Sequence, residues 1–311
     1  MAGSKKAVYA ALFGNFGIAV AKFLGALFTG STAMMAEAYH SFSDTFNQVL
    51  LLIGLDMSSK GESDKHQFGR SKEQFFWSFM VATMLFGVSG ILSFQHGWDS
   101  LFHEAHEIEN ANVSYVILAL SFLFEANALR IAYGIFRETI EERGDTVSIR
   151  ALIKEFNESK DPTVLTVMVE DTAALSGIIV AAMGIYLSEL YGTTFYDAMA
   201  SIIIGFILMI FSIFLARENK GLLVGESMSR ENEERVLSSI SAIQEVKKVV
   251  SMKSMHLGPE DVIIAIGVSL ESGLDAEKIA SVIDEIEKKV IEAIPHASPG
   301  KTFVEVAREK I

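Results

Sequence analysis

Six long apolar segments dominate the first 220 residues, and each is close to the length that a helix needs to cross a bilayer. A span takes about 20 mostly apolar residues. Half of the whole chain is hydrophobic, and its mean hydropathy is +0.34, which is unusual for a soluble protein of 311 residues. These features predict an all-α bundle of six transmembrane helices over residues 1–220. The approximate limits of the segments are Val8–Phe28, Met34–Leu55, Phe75–Phe94, Val113–Phe136, Val164–Leu190 and Phe195–Leu215.

Lysine and arginine residues in the loops fall on one side of this predicted bundle. They occur before the first segment, between the second and third, between the fourth and fifth, and after the sixth. The three opposite loops, around 29–33, 95–112 and 190–195, contain none. Because basic loops remain in the cytoplasm, the pattern predicts that both termini are cytoplasmic. The first segment is longer than the apolar core of a typical signal peptide and lacks a clear cleavage site, so we expect it to be a span.

Residues 221–311 form a second region, because they are charged and carry only short apolar runs. Ser229 favours the start of a helix over Arg230–Ile243. Apolar residues at helical spacing predict another helix over Asp275–Ala293. The order α-β-β-α-β predicts a small α+β, ferredoxin-like cytoplasmic domain with a face suited to dimerisation. Strand-like patterns place its three strands at Val246–His256, Val262–Leu270 and Lys301–Val306.

The second apolar segment carries the residues that point most directly to chemistry. His40 and Asp44 are four residues apart, so a helix would place an imidazole and a carboxylate on one face. Ionisable groups in hydrocarbon are costly, and they usually persist where they handle an ion, a proton or a substrate. Glu37 and Asn47 lie along the same face, so Glu37, His40, Asp44 and Asn47 form a polar stripe on the second segment. The chain has no Cys, so a metal must be held by imidazole and oxygen ligands, which suit Zn²⁺ and tolerate Co²⁺, Fe²⁺ or Mn²⁺.

The fifth segment offers the neighbouring acids Glu170 and Asp171. Adjacent helical residues point about 100° apart, so at most one of them faces the second segment squarely. Small residues around them favour close helix packing. These patterns predict a divalent-cation site between the second and fifth helices, with His40, Asp44 and Asp171 as its core. Glu125, in the fourth segment, fits a proton relay, an outer acceptor or a satisfied polar contact equally well.

Several other polar residues carry weaker signals. Asp56 and Asp197 fit the ends of helices. His66 lies in the loop between the second and third segments and suits either a solvated position or a peripheral metal or docking site. The loop after the third segment contains an imidazole and carboxylate cluster that matches no closed ligand set, so we expect a solvated stretch. Its members are His103, Glu104, His106 and Glu107.

Two functional classes are disfavoured by what the chain lacks. A net charge of −13 argues against nucleic-acid binding. An intramembrane metallohydrolase would need a general base beside a polarised water. The sequence contains neither His-Glu-x-x-His nor a serine nucleophile elbow, so we do not expect an enzyme.

Four stretches of the sequence together resemble the cation diffusion facilitators, and within them the subgroup of zinc transporter nine and its bacterial relatives. The resemblance covers nearly the whole chain, and its first and last stretches are the most specific. The stretches are Thr29–Gln48, His66–Trp77, Ser159–Val164 and Val169–Ala174.

The resemblance implies a particular ligand set. Typical zinc-transporting members supply a pair of ligands four residues apart from each of spans two and five. His40 and Asp44 match the first pair and Asp171 matches half of the second, whereas Val167 stands where the other ligand is expected. Glu170 or a water molecule would then complete the metal site.

The resemblance also implies a function and a location. We expect a homodimeric Zn²⁺/H⁺ antiporter that exports metal from the cytoplasm by alternating access, in a bacterial-type inner (plasma) membrane and with no resident cofactor. Metal binding needs deprotonated ligands, and an unperturbed imidazole titrates at about 6.5, which suits proton exchange. Selectivity for Mn²⁺, Fe²⁺ or Co²⁺, or a non-transporting metal sensor, remain the alternatives. His256, Asp261 and His296 are scattered, so we expect the C-terminal domain to dimerise without metal.

Overall fold

The computed structural model describes residues 2–102, 108–142, 146–148, 150–152, 156, 161–294 and 297–307. Some residues discussed above lie outside these ranges. They are the cluster of His103, Glu104, His106 and Glu107, the motif residues Ser159 and Lys160, and His296. The chain forms two units. The first comprises Met1–Leu55 and Phe76–Asn219, and the second comprises Asp56–Phe75 and Lys220–Ile311.

Long helices build the first unit, as the apolar segments predict. Among the described residues, five helical stretches are long and apolar enough to cross a membrane: Leu12–Thr29, Glu73–Phe102, Ala111–Glu138, Pro162–Tyr191 and Phe195–Val224. One further helix, α2 (Thr32–Ser58), is 27 residues long but less apolar than these five stretches. It carries the polar stripe that includes Glu37, His40 and Asp44. The helices are α1 (Ala2–Thr29), α2 (Thr32–Ser58), α3 (Glu73–Met84), α4 (Ile91–Phe102), α5 (Ala111–Glu142), α6 (Pro162–Tyr191) and α7 (Phe195–Val224).

The third span, formed by α3 and α4, contains a π-helical segment, Leu85–Gly90, and packs closely on α7. A Cβ added at Gly205 would lie 2.6 Å from the backbone nitrogen of Phe94, so only glycine permits this approach. Ser201 Oγ also donates a hydrogen bond of 2.8 Å to the Ser93 carbonyl. Small residues at such contacts allow membrane helices to pack backbone to backbone.

The helix α6, which carries Glu170 and Asp171, has well-defined ends. Pro162 occupies its first turn, and the Asp161 side chain accepts hydrogen bonds from the backbone nitrogens of Thr163 and Val164 at 2.9 and 3.3 Å. Proline at the start of a helix and an acidic cap before it are both favourable. The helix stops at Gly192, whose φ of 63° is a left-handed conformation that glycine adopts without strain.

The second unit contains the predicted α-β-β-α-β domain. Its elements are α8 (Arg230–Ser241), β1 (Val246–Gly258), β2 (Asp261–Leu270), α9 (Ala276–Ala293) and β3 (Ala297–Val306). The central strand β2 pairs antiparallel with β1 and parallel with β3. The predicted cap is confirmed, since Ser229 Oγ accepts from the Asn232 backbone nitrogen at 3.3 Å. Apolar residues from α8, β2 and α9 share one core, including Ile240, Ile264 and Ile286.

The third strand begins four residues before its predicted start at Lys301, because Ala297 already pairs with Val262 of β2. The sequence Ser-Pro-Gly that follows Ala297 is typical of a turn and hides the start of the strand.

The loop between α2 and α3 belongs to the same unit. Ser71 Oγ donates a hydrogen bond of 2.8 Å to Asp261 Oδ2, and Lys301 Nζ lies 2.6 Å from the same oxygen. The Phe68 ring packs edge-on against Phe303, with 6.3 Å between ring centroids. The loop is therefore held to the sheet by both polar and aromatic contacts.

Candidate metal-transport site

The polar stripe on α2 is buried along its length. Glu37, His40 and Asn47 have no exposed surface, and Asp44 is 9% exposed. His40 Nδ1 lies 3.3 Å from Asp44 Oδ1, so the predicted pair is formed. Within the described ranges, neither His40 nitrogen has a hydrogen-bond partner, and nor does Asp44 Oδ1. Buried polar atoms rarely remain without partners, so these three atoms are candidates for binding a cation.

The facing helix α6 supplies the two acids. Glu170 is buried and Asp171 is half-buried. The Asn47 amide donates a hydrogen bond of 2.7 Å to Glu170 Oε1, which links α6 directly to the stripe on α2. The Oδ2 atom of Asp171 is buried and has no hydrogen-bond partner among the residues that the structure describes.

A second contact between α2 and α6 fixes their relative direction. A Cβ added at Gly177 would overlap Glu37 Oε1, so the Glu37 side chain of α2 lies directly against α6 at this glycine. Glu37 therefore lies opposite Gly177, and Asn47 lies opposite Glu170. The two helices run antiparallel. His40 and Asp44 fall between these two contacts, beside the part of α6 that contains the buried small residues Ala173 and Ala174.

Lys22 of α1 also belongs to this region, although the sequence motifs do not point to it. This lysine is fully buried, and its Nζ lies 2.8 Å from Glu37 Oε2. A signal was present, because Lys22 is the sole charged residue between residues 7 and 36. A lysine in the middle of an apolar span needs a buried partner, and the nearest acid along the chain is Glu37.

The ionisable groups around the stripe form one electrostatic set. The Asp44 carboxylate interacts with Glu170, Glu125, Asp171 and Lys22. Glu125 of α5 is buried and also interacts with Lys22 and Glu37. This set therefore contains five carboxyl groups and one ammonium group, and its excess of acidic groups favours the entry of a divalent cation or of protons.

The described residues contain no group of three or more His, Cys, Asp or Glu side chains placed to hold a metal ion together. The structure thus brings His40 to Asp44 and Glu170 to Asn47, but these two halves do not form a closed coordination shell. Val167, at the position where the family resemblance leads us to expect a ligand, is half-buried on α6.

Asp197 anchors the start of the site helix. The sequence predicts that Asp197 lies at a helix end, and it lies in the first turn of α7. Its carboxylate accepts a hydrogen bond of 2.8 Å from Ser31 Oγ and also accepts from the backbone nitrogens of Thr32 and Ala33. The side chain therefore caps α2, a different helix, and satisfies amides that would otherwise lack partners.

The weaker candidates have local roles in the second unit. Asp261 binds Ser71 and Lys301, as described above. His256 is buried, and its Nδ1 lies 3.3 Å from the Gly258 carbonyl oxygen. His66 is half-buried, and its backbone pairs with Ser63 in a tight turn.

A bundle of long apolar helices with a buried imidazole and several buried carboxyls, followed by a small α+β domain, defines a multi-pass membrane protein. Residues 8–224 match the family model of the cation efflux transmembrane domain. The chain therefore belongs to the cation efflux family, the cation diffusion facilitators, whose members transport metal ions.

Three relatives illustrate the range of the family. The chain is 32% identical over 237 residues to the mitochondrial proton-coupled zinc antiporter SLC30A9 of Mus musculus, a match that covers 76% of this chain and 41% of that protein. It is 32% identical over 257 residues to metal tolerance protein C4 of Arabidopsis thaliana, covering 82% of this chain and 55% of the relative. The chain thus spans about half the length of these two relatives. It is 24% identical over 293 residues to the manganese efflux system protein MneP of Bacillus subtilis, covering 92% and 91% of the two chains.

Proposed function

We propose that this protein is a Zn²⁺/H⁺ antiporter that exports metal from the cytoplasm, with His40, Asp44, Asp171 and Glu170 as the ligands of the transported ion. The observation that carries the proposal is the His40–Asp44 pair. An imidazole and a carboxylate lie 3.3 Å apart on a buried helix face, and their facing atoms have no hydrogen-bond partner in the described part of the chain. Imidazole and carboxylate ligands together suit Zn²⁺.

The same site supports exchange with protons. A metal requires deprotonated ligands, so metal binding releases protons and protonation releases the metal. The buried carboxyl groups and His40 can accept those protons without water in the hydrocarbon region. In alternating access, α6 would move against α2 to close and open the coordination shell. The likeness to a proton-coupled zinc antiporter supports this assignment.

The orientation of the chain follows from its basic loops, which support cytoplasmic termini and a cytoplasmic C-terminal domain. The metal would accordingly enter from the cytoplasmic side. We also propose that the C-terminal domain dimerises, because β3 is an edge strand of the described three-stranded sheet and exposes Phe303. The membrane that we propose is an inner (plasma) membrane of bacterial type.

Mn²⁺ export is the second candidate. Val167 removes one expected ligand, and the remaining acids Asp44, Glu170 and Asp171 make the site rich in oxygen donors, which Mn²⁺ prefers. The manganese efflux relative from Bacillus subtilis supports this alternative.

Transport by the purified full-length chain in proteoliposomes tests these proposals. Zn²⁺, Mn²⁺, Fe²⁺ and Co²⁺ uptake would be measured in the same vesicles, with and without an imposed pH gradient. We expect the wild-type protein to show Zn²⁺ flux driven by the pH gradient. The Asp44→Ala and Asp171→Ala variants should lose this flux. The matched control is Asp56→Ala, because the Asp56 side chain is 78% exposed at the end of the same helix.

Two outcomes would contradict the assignment. Normal Zn²⁺ flux in either site variant would remove Asp44 or Asp171 from the ligand set. Saturable metal binding without uptake by any vesicle would favour a non-transporting metal sensor.

A further inference from the structure

Glu37 belongs to the stripe of α2 that carries the proposed ligands, yet it is already engaged. It precedes His40 by three residues and Asp44 by seven, a spacing that puts all three on one helix face. By position alone it would be a further carboxylate ligand, one turn from the imidazole. Its Oε2 atom instead lies 2.8 Å from Lys22 Nζ, and both side chains are fully buried.

The second carboxylate oxygen of Glu37 is held by packing. Oε1 lies against Gly177 of α6, where a Cβ would overlap it, and it has no hydrogen-bond partner among the described residues. Lys22 fixes one oxygen and the α6 backbone confines the other. Glu37 is therefore placed between α1 and α6, and any turn toward His40 would first have to break the ion pair.

Breaking that pair would change the chemistry of the metal site. Carboxylate and water ligands suit Mn²⁺, whereas imidazole ligands suit Zn²⁺ and other borderline metals. A released Glu37 would add a hard oxygen donor to a set in which His40 is the sole proposed nitrogen ligand. The balance of donors would then move toward Mn²⁺.

We propose that Lys22 is a specificity-determining residue, whose ammonium group holds Glu37 out of the ligand set and thereby favours Zn²⁺ over Mn²⁺. The inference rests on the proposed function, because it assumes that His40 and Asp44 bind the transported ion. Lys22 itself does not touch the metal. It acts through Glu37, and its effect is on the ratio of affinities.

The ratio is the necessary readout because charge alone would alter both affinities. Removing the Lys22 ammonium makes the surroundings more negative, so every divalent cation would bind more tightly. That general increase cancels in the ratio of the Mn²⁺ and Zn²⁺ dissociation constants. The effect of a new carboxylate ligand on the ratio does not cancel, because the ligand stabilises bound Mn²⁺ relative to bound Zn²⁺.

Equilibrium binding of Zn²⁺ alone and of Mn²⁺ alone to the purified full-length protein in detergent tests the proposal. In Lys22→Met we expect the Mn²⁺ to Zn²⁺ ratio of dissociation constants to fall about tenfold, equivalent to roughly 1.4 kcal/mol. Lys22→Arg keeps the cation and should keep the wild-type ratio. In Lys22→Met/Glu37→Gln the released carboxylate is gone, so the ratio should return to the wild-type value.

Each outcome bears on the proposal. An unchanged ratio in folded Lys22→Met, or a shifted ratio that persists in the double variant, would overturn it. Lys22→Met leaves a buried carboxylate without its partner and can fail to fold. The double variant removes both charges and so avoids this unpaired carboxylate. If the double variant is monodisperse but no longer binds Zn²⁺, Glu37 is itself a ligand and the proposal is overturned.

The failure of the proposed function is distinguishable from the failure of this inference. Absence of Zn²⁺ binding by the wild-type chain would contradict both. Zn²⁺ binding that Asp44→Asn abolishes, combined with a ratio that Lys22→Met does not change, would support the site and overturn the role of Lys22 alone.

Discussion

The Asn47 amide donates a hydrogen bond of 2.7 Å to Glu170 Oε1. Asn47 lies on α2, three residues beyond Asp44. This bond joins the two helices that carry the proposed ligands. It occupies one oxygen of Glu170, so this side chain can reach a metal only with its other oxygen or after the bond breaks. Asn47 thereby holds the fourth proposed ligand at the edge of the site.

Removing this bond is expected to destabilise the bundle. Asn47→Ala leaves a buried Glu170 oxygen without its donor, and such a loss costs about 1–3 kcal/mol. The test is a double-mutant cycle with Asn47→Ala, Glu170→Ala and the combined variant, measured by thermal unfolding in detergent. If the two substitutions prove additive, the bond contributes nothing to stability.

The approach of α6 to α2 at Gly177 gives a second prediction. A methyl group at this position would overlap Glu37 Oε1, so Gly177→Ala must push the helices apart or displace the Lys22–Glu37 pair. We expect a destabilisation of about 1–3 kcal/mol, as for other overpacked positions, together with weaker Zn²⁺ binding. Gly134→Ala on α5 is the matched control, because a Cβ there meets no atom within 4 Å. Equal melting temperatures for the two variants would contradict the close approach.

The polar stripe on α2 could be predicted from sequence because it depends only on helical periodicity. His40 and Asp44 are neighbours in any helix that contains them, and the cost of burying them in hydrocarbon marks them as functional. The cap at Ser229 and the helix after it also follow from local residues.

The partners of these residues could not be predicted, because they depend on which helices are neighbours in space. Glu37 belongs to the same predicted stripe, but its capture by Lys22 depends on how α1 lies against α2. The sequence places Asp197 at a helix end and yet cannot indicate that it caps α2. Whether Glu170 or Asp171 faces the stripe depends on the rotation of α6, which a pair of adjacent acids leaves open.

Zn²⁺ binding should weaken as the pH falls. The proposed ligands must lose protons to bind metal, so each proton released on binding lowers the affinity about tenfold per pH unit in the range where that ligand is protonated. The dissociation constant would be measured between pH 8 and pH 6 in detergent. His40→Ala removes a nitrogen ligand and should lower affinity at every pH, whereas Asp56→Asn should match the wild type. A pH-independent dissociation constant would contradict proton exchange at this site.

The cap that Asp197 provides to α2 gives the last prediction. Asp197→Ala removes the carboxylate that accepts hydrogen bonds from Ser31 Oγ and from the backbone nitrogens of Thr32 and Ala33. The buried amides at the start of α2 would then lose this acceptor. Loss of a cap costs about 0.5–2 kcal/mol, so the melting temperature should fall. Asp197→Asn keeps one acceptor oxygen and should lose less. Ser31→Ala removes the donor to Asp197 and also the acceptor for the Met34 backbone nitrogen, so it should lower the melting temperature as well. Because the cap lies more than one turn from His40, Zn²⁺ affinity in the folded fraction should stay within a few-fold of the wild type. An Asp197→Ala variant as stable as the wild type would show that α2 does not depend on this contact.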